Sequence, residues 1–247
     1  MLDIKTVENI CHLRLNNGVT NAISSALIKH IFLALDEAEK NTAGLIIEGG
    51  EKFFSIGFNL PEIVDYKEEE MRNFYRSFNQ LILKIYNLSI PTCAMIDGHA
   101  IAGGMILALV TDFRTASLGK KIFLGVNEIK LGVPVPLIAD LRLRQITSHN
   151  NATFLLYSGE FINPLEGKET GIINELYSSE EIREKTHEKI KLFAHMPKDA
   201  FSVIKKNKTR CITEEYLKRQ KSDEDDFIRC WFNENTRKLL TEAAKKF

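Results

Sequence analysis

Apolar residues recur along the chain with two different periods, and these periods predict where strands and helices lie. Alternation of apolar and polar residues over 3–15 predicts a β-hairpin. Short apolar runs predict buried strands at 45–47, 92–96 and 172–176. Helical spacing predicts helices at 24–41, 68–88, 105–110, 137–146, 152–157, 163–171, 180–195, 198–208, 214–231 and 235–245. Strand–strand–helix units followed by helices alone predict an α/β core, residues 1–195, and a C-terminal helical region, residues 196–247.

The charge balance argues against several classes of partner. The chain of 247 residues carries 33 Lys and Arg against 33 Asp and Glu, so it offers no broad electrostatic basis for binding nucleic acid or a membrane surface. The N-terminus lacks the apolar segment of a signal peptide, and the apolar run 100–110 is far shorter than the roughly 20 residues that span a bilayer. The four cysteines show no metal-ligand spacing. We therefore expect a cytoplasmic protein with reduced thiols and no metal site.

A glycine turn after the strand at 92–96 is the first candidate for chemistry. Ala102-Gly103-Gly104 opens an apolar helix, and the first turn of a helix leaves backbone N–H groups unpaired. The turn lacks the Gly-Lys-Ser/Thr of a nucleotide-binding loop. Two interpretations remain. The amides stabilise an oxyanion formed from a substrate carbonyl, or the glycines only permit close packing of the helix on the strand.

Two motifs read together resemble one known family. Phe54-Ser55-Ile56-Gly57-Phe58-Asn59-Leu60 resembles the Phe-Ser-Ala-Gly-x-Asp-Leu segment of the crotonase (enoyl-CoA hydratase/isomerase) superfamily. Residues 98–105, Gly-His-Ala-Ile-Ala-Gly-Gly-Met, resemble its second signature. Asn21-Ala22 and the segment 159–171 also match, and the resemblance covers about residues 5–205. Ile56 and Asn59 depart from the family's usual alanine and aspartate.

The resemblance implies a spiral of ββα units followed by a C-terminal helical region that trimerises, giving a homotrimer or a dimer of trimers. It implies an acyl-CoA thioester as the substrate, with coenzyme A as part of that substrate and no separate cofactor. The family's oxyanion hole maps onto the backbone N–H groups of Ile56 and Gly103. The remaining substrate-binding positions that the resemblance implies are Ile23, Ser55, Gly57, Phe58, Gly104, Ile106, Val126 and Val133.

The acid–base positions distinguish between reactions within this family. Its hydratases use two glutamates, and the first of these positions is Ile106 here, whereas the second is Glu128. One carboxylate with an aliphatic residue at the other position resembles the Δ3-Δ2 enoyl-CoA isomerases. An apolar shell around Glu128 should raise its pKa by desolvation and keep water from the intermediate. The alternatives are hydration, decarboxylation or thioester hydrolysis of an acyl-CoA, and non-catalytic acyl-CoA binding.

Other conspicuous residues favour structural roles. Ser55 and His99 suggest a hydrolase pair, but no Gly-x-Ser-x-Gly elbow or acidic partner is evident, so we interpret His99 as structural. The aromatic residues of 226–232 are expected to serve core or trimer packing rather than chemistry. The lysines of 205–208 and 245–246 could meet CoA phosphates, although a solvated charge run is the favoured interpretation.

Overall fold

The chain forms two sheets surrounded by helices, and the computed structural model describes residues 1–119 and 121–246. The strands are β1 (Leu2–Val7), β2 (Ile10–Leu15), β3 (Gly44–Glu48), β4 (Phe53–Ser55), β5 (Thr92–Ile96), β6 (His99–Ile101), β7 (Phe113–Leu118), β8 (Leu124–Gly125) and β9 (Glu175–Ser178). The helices are α1 (Ser25–Asn41), α2 (Leu60–Ile63), α3 (Glu68–Asn87), α4 (Gly103–Leu109), α5 (Leu137–Ile146), α6 (His149–Ser158), α7 (Pro164–Glu169), α8 (Ile182–Ala194), α9 (Lys198–Trp231) and α10 (Glu234–Ala244), with a 3-10 turn at Glu128–Leu131.

Successive turns of the chain add one strand to each sheet and then a helix. The larger sheet has the order β1-β2-β3-β5-β7-β9, in which β1 and β2 are antiparallel and the other pairs are parallel. The smaller sheet has the order β4-β6-β8 and is parallel throughout. This repeat of ββα units, followed by helices at the C-terminus, confirms the predicted α/β class. Trimerisation and the boundary between residues 195 and 196 stay predictions.

Helices cover both faces of the large sheet, and this explains the uninterrupted apolar runs in its central strands. Every residue of β3 and of β5 is buried. One face joins the main core together with the apolar sides of α1 and α3, while α8 packs against β2, β3, β5, β7 and β9. The α8 face forms a second cluster, which comprises Ile10, Ile46, Cys93, Met95, Ile182 and Ile190. Strands buried on both sides lose the polar alternation of a half-exposed sheet.

The structure corrects the sequence-based boundaries in three places. The helices predicted at 198–208 and 214–231 are one 34-residue helix, α9, because Thr209 and Ile212 continue its buried side through the presumed gap. The strand predicted at 172–176 lies instead at Glu175–Ser178. The short strands β6 and β8 and the longer β7 were not predicted as strands.

A buried ion pair fixes the first half of α9 to the sheet. The Nζ atom of Lys205 donates to Asp112 at 2.6 Å and to the carbonyl of Ile90 at 2.7 Å, and the Lys205 and Asp112 side chains are only 4% and 7% exposed. Burial by itself would raise the pKa of Asp112, but Lys205 and Lys208 lower it to about 2. The favoured interpretation of Lys205 as part of a solvated charge run is therefore wrong, and the alternative contact with CoA phosphate does not fit either, since the ammonium group is buried and paired within the fold.

Replacing Lys205 with Met should lower the free energy of unfolding by about 3 kcal/mol, because it leaves the Asp112 carboxylate buried with one partner fewer. Urea denaturation at pH 7 measures the loss. The matched control is Lys206→Met at the adjacent exposed position, which should stay within about 0.5 kcal/mol of the wild type. Equal stabilities for the two variants would contradict this account of the ion pair.

Candidate active site

An apolar cavity of ≈ 220 Å³ lies beside the small sheet and the C-terminal helices. Its lining residues are Ile56, Phe58, Leu60, Ile101, Ala102, Gly103, Asn127, Glu128, Leu131, Val133, Pro136, Phe227, Trp231, Leu240 and Ala243. The residues at 56–58, 102–103 and 127–128 follow the carboxyl ends of β4, β6 and β8. Parallel strands bring their carboxyl ends to one edge of a sheet, where ligands of α/β proteins commonly bind. The cavity therefore collects its polar groups from three consecutive turns of the chain.

The first glycine turn commits most of its backbone amides to internal hydrogen bonds. The Ile56 N–H donates to the carbonyl of Thr20 at 3.2 Å, and the Gly57 N–H donates to Ser55 Oγ at 3.2 Å. The Ser55 hydroxyl in turn donates to the carbonyl of Asn21 at 2.8 Å, so it fastens the turn instead of serving as a nucleophile. An N–H that already has an acceptor is a poor oxyanion donor. Ile56 therefore lines the cavity with its side chain, and its assignment as an oxyanion donor does not fit this geometry.

Phe58 carries the amide that the turn leaves free. Ile23 and Phe58 form a parallel bridge, in which the Ile23 N–H donates to Gly57 O at 2.8 Å and the Asn59 N–H donates to Ile23 O at 2.9 Å. In such a bridge the N–H of Phe58 points away from Ile23. Within residues 1–119 and 121–246 it has no hydrogen-bond acceptor. The turn thus presents the Phe58 N–H rather than the Ile56 N–H.

The second glycine turn presents the amide of Gly103. Ala102 has φ 48° and ψ −127°, a conformation that L-residues rarely adopt and that costs about 1–3 kcal/mol. The Ala102 N–H donates to Gly125 O at 2.8 Å, which fixes the turn against β8. Gly103 is the first residue of α4, so its N–H has no partner within the helix. Strain at this point is a feature typical of functional sites.

The two turns that carry Phe58 and Gly103 touch through their backbones. A methyl group on Gly57 would lie 2.9 Å from the Gly103 nitrogen, and one on Gly103 would lie 3.3 Å from the Phe58 ring. A methyl group on Gly104 would collide with the carbonyl of Ser55. Gly57 has φ 91°, which also favours glycine. The glycines therefore permit the close packing that one interpretation of the sequence expected, and the oxyanion role of the Gly103 amide stays a prediction.

Glu128 places a nearly isolated carboxylate in the cavity wall. Glu128 is the first residue of the 3-10 turn after β8 and is only 7% exposed. Its Oε2 atom has no hydrogen-bond partner among the described residues. Desolvation raises the pKa of Glu128 from an ordinary 4.5 to about 8, and a backbone hydrogen bond acts in the opposite direction. The Oδ1 atom of the adjacent Asn127 also lacks a partner in the described part of the chain. A carboxyl group with such a pKa can accept and release a proton near neutral pH.

The remaining predicted positions divide between the cavity wall and the layer behind it. Ile56, Phe58, Gly103, Glu128 and Val133 line the cavity. Ile23, Ser55, Gly57, Gly104, Ile106 and Val126 do not. Ile23, Ile106 and Val126 belong to the main core, where Ile106 is 1% exposed, so their expected contact with substrate is replaced by packing under the turns. Ser55, Gly57 and Gly104 shape the turns themselves.

The C-terminal helices contribute a wall that the sequence interpretation missed. Phe227 and Trp231 of α9 and Leu240 and Ala243 of α10 line the cavity, although the aromatics of this region were expected only in packing. A hydrogen bond from Thr236 Oγ1 to Gly132 O, 3.2 Å long, ties α10 to the turn that carries Glu128. The spacing of Phe227 and Trp231, one helical turn apart, is the signal that identifies a shared helix face. Nothing in the sequence alone indicates which surface that face meets.

Comparisons with known proteins identify the family of this chain. The family model described as enoyl-CoA hydratase/isomerase matches residues 5–247, and the chain belongs to this family of enzymes. A probable enoyl-CoA hydratase of Mycobacterium avium is 28% identical over 188 residues, covering 75% of this chain and 72% of the relative. The mitochondrial enoyl-CoA delta isomerase 1 of Mus musculus is 22% identical over 250 residues, covering 100% of this chain and 86% of the relative.

Solved structures share the whole fold. Human mitochondrial Δ3-Δ2-enoyl-CoA isomerase superposes with a TM-score of 0.95 at 20% identity, covering 99% of this chain and 97% of that one. An enoyl-CoA hydratase from Bacillus halodurans gives a TM-score of 0.88 at 20% identity, covering 98% of this chain and 99% of that one.

In the part of the chain that the structure describes, no helix is long and apolar enough to cross a membrane, and no cluster of three or more His, Cys, Asp or Glu is arranged for a metal ion.

Replacing Glu128 with Gln should stabilise the protein increasingly as the pH rises. The folded-state pKa lies above the unfolded one, so the wild type loses stability between pH 4.5 and about 8, while the neutral amide does not titrate. The difference in free energy of unfolding should grow across this window by as much as about 5 kcal/mol and level off above it. Thermal or urea denaturation at a series of pH values measures it. The exposed Glu160→Gln variant should track the wild type, and a pH-independent difference for Glu128→Gln would contradict the raised pKa.

Proposed function

We propose that this enzyme moves the double bond of a 3-enoyl-CoA to give the 2-trans-enoyl-CoA, with Glu128 as its single acid–base group. The observation that carries the proposal is the composition of the cavity wall. Glu128 is the one ionisable side chain among the described residues that line it. Moving a proton along a carbon chain needs one group that accepts it and then returns it. Adding water needs a group to activate the water as well as a proton donor.

The reaction proceeds by removal and return of one proton. The Glu128 carboxylate takes a proton from the α-carbon of the 3-enoyl thioester, and the electron pair spreads over a dienolate. The protonated Glu128 then delivers this proton to the γ-carbon, which leaves the double bond between the α- and β-carbons. No other reactant is consumed. The apolar wall keeps water away from the dienolate and so favours return of the proton over hydration.

The free amides of Phe58 and Gly103 are suited to hold the thioester oxygen. Negative charge develops on that oxygen when the α-proton leaves, and two fixed N–H donors stabilise it more strongly than they stabilise the neutral thioester. Loss of one such donor typically costs about 3 kcal/mol in the barrier. This assignment keeps Gly103 from the family resemblance and replaces Ile56 with Phe58, because the Ile56 N–H already donates to Thr20 O.

Hydration is the second candidate because relatives of this chain are named enoyl-CoA hydratases. The apolar Ile106 at the first hydratase position disfavours it, as does the lack of a second carboxylate among the described lining residues. Two incubations separate the candidates. With 3-hexenoyl-CoA, an isomerase forms conjugated 2-hexenoyl-CoA, which is followed by its absorbance. With 2-hexenoyl-CoA, a hydratase forms the 3-hydroxy product. Bound acyl-CoA with no change in either pool would indicate a non-catalytic binding protein.

Replacing Glu128 with Gln should lower kcat for 3-hexenoyl-CoA at least 1,000-fold, on the order expected when the only proton carrier is lost. Binding of hexanoyl-CoA should change little, because the amide fills the same space. Steady-state kinetics and calorimetric titration measure the two effects. The exposed Glu160→Gln variant serves as the matched control and should keep full activity. Substantial turnover by Glu128→Gln would reject Glu128 as the base.

The value of kcat/KM should rise with pH and level off above about 8, because only the ionised form of Glu128 can take the α-proton. Below that pH the rate should fall by about tenfold for each pH unit. Initial rates with 3-hexenoyl-CoA between pH 6 and 9.5 give the profile, provided that the protein stays folded over this range by circular dichroism. A flat profile across these pH values would argue against a base with a raised pKa.

The implied acyl-CoA substrate and the homotrimer or dimer of trimers remain part of this proposal. Support for the first comes from the family membership, and support for the second comes only from the resemblance. Sedimentation of the purified protein, with and without acyl-CoA, tests the assembly.

A further inference from the structure

We propose that Trp231 determines the length of the acyl chain that the enzyme accepts, by closing the part of the cavity that receives the acyl tail. The inference rests on the proposed function, since it assumes an acyl-CoA in this cavity. It goes beyond that function by naming short-chain acyl thioesters as the preferred substrates and Trp231 as the residue that causes this preference. The C-terminal helices thus act on specificity, while the glycine turns and Glu128 act on the reaction.

The position of the reacting atoms determines where the tail can go. In the proposed reaction the Phe58 and Gly103 amides hold the thioester oxygen, and the α- and γ-carbons face Glu128. The remaining carbons must occupy the rest of the cavity, whose described lining is apolar apart from Asn127, Glu128 and the indole nitrogen of Trp231. The apolar lining residues include Leu60, Pro136, Phe227, Trp231, Leu240 and Ala243. An alkyl tail is the only part of an acyl-CoA that suits such a lining.

The cavity is small and Trp231 is the largest side chain on its wall. Its volume, ≈ 220 Å³, is below the range of about 300–1,000 Å³ that is usual for pockets holding drug-sized ligands. Trp231 is 1% exposed and packs in the main core. Its ring therefore takes space that a longer acyl tail would need, and removal of the ring frees more volume than removal of any other lining side chain.

An aromatic stack holds Trp231 in place. The rings of Tyr75 and Phe227 stack with centroids 3.8 Å apart, and those of Phe227 and Trp231 lie 5.7 Å apart. The Tyr75 hydroxyl donates to Asp223 at 2.9 Å, and Asp223 also accepts from the N–H of Leu137, at 3.0 Å. The stack is thereby fixed to α3, α5 and α9 together. A wall supported from three helices cannot move aside for a longer chain without breaking these contacts.

Replacing Trp231 with Ala should shift the preference toward longer chains. The decisive quantity is the ratio of the Kd of hexanoyl-CoA to the Kd of dodecanoyl-CoA, measured by calorimetric titration. Each methylene that enters the freed space favours binding about fourfold, so two methylenes raise the ratio about 15-fold. Trp231→Phe should give a smaller increase in this ratio.

Phe232→Ala is the control, because Phe232 packs on the core beside Trp231 without lining the cavity. The Kd ratio of this variant should equal that of the wild type. An unchanged ratio in Trp231→Ala would overturn the proposal.

The wild type allows a second test, of contact between the acyl tail and Trp231, which matters if Trp231→Ala does not fold. Trp231 is the only tryptophan of the chain, so the intrinsic emission comes from the cavity wall. Hexanoyl-CoA should shift or quench this emission at saturation, and coenzyme A without an acyl group should leave it unchanged. An equal response to both ligands would overturn the proposal, because the tail would then not reach Trp231.

Failure of this inference is distinguishable from failure of the proposed function. The Kd ratio and the emission use saturated acyl-CoA, so neither depends on proton transfer. An enzyme that does not isomerise 3-hexenoyl-CoA but still shows the shifted ratio would reject the isomerase and keep the role of Trp231. An active isomerase in which the Kd ratio is the same for the wild type and for Trp231→Ala would keep the proposed function and reject the role of Trp231.

Discussion

The site depends on a contact between two stretches of backbone that leaves no room for a side chain. Gly57 lies against the Gly103 amide, and Gly104 lies against the Ser55 carbonyl at a distance that no Cβ could share. Such an approach is possible only where neither loop carries a Cβ atom at the point of contact. The strained backbone of Ala102 follows from the same approach, and the hydrogen bond from its N–H to Gly125 O holds it.

The carboxyl group of Glu128 presents the opposite problem, because the fold gains nothing from burying it. A carboxylate in an apolar wall without a partner loses hydration, which is why the pKa of Glu128 rises to about 8. The same loss of hydration makes the ionised group a stronger base. The folding free energy lost by burying Glu128 must be offset elsewhere in the molecule. The large sheet contributes to this, because apolar side chains are buried on both of its faces. Elements far from the cavity therefore make this destabilising carboxyl group tolerable.

The sequence predicted this molecule well where the signal was local or belonged to a motif. Apolar periodicity identified α1 and α3 nearly to the residue, and the two glycine motifs with Glu128 indicated the site before any coordinates. It predicted poorly where the outcome depends on tertiary pairing. Strand β8 has only two residues, which carry no period, and it is defined by its pairing with β6 and by a bridge from Leu124 to Ile162. The choice between the Ile56 and Phe58 amides depends on the carbonyl of Thr20 and on a bridge to Ile23, neither of which a motif encodes. The place of Trp231 in the cavity likewise depends on where a distant helix packs.

The walls of the cavity come from two distant parts of the chain, residues 56–136 and 227–243, and this has an evolutionary consequence. Glu128 and the two amides lie on turns of the small sheet, while Phe227 and Trp231 lie more than 90 residues later on α9. A substitution on the helix changes the space available without altering the geometry of the turns. A substitution of Glu128 by Gln changes the acid–base group while the side chain keeps nearly the same volume. Lineages descending from such an ancestor can therefore explore new chemistry and new substrates by separate mutations, each of which leaves the other property intact for selection to retain.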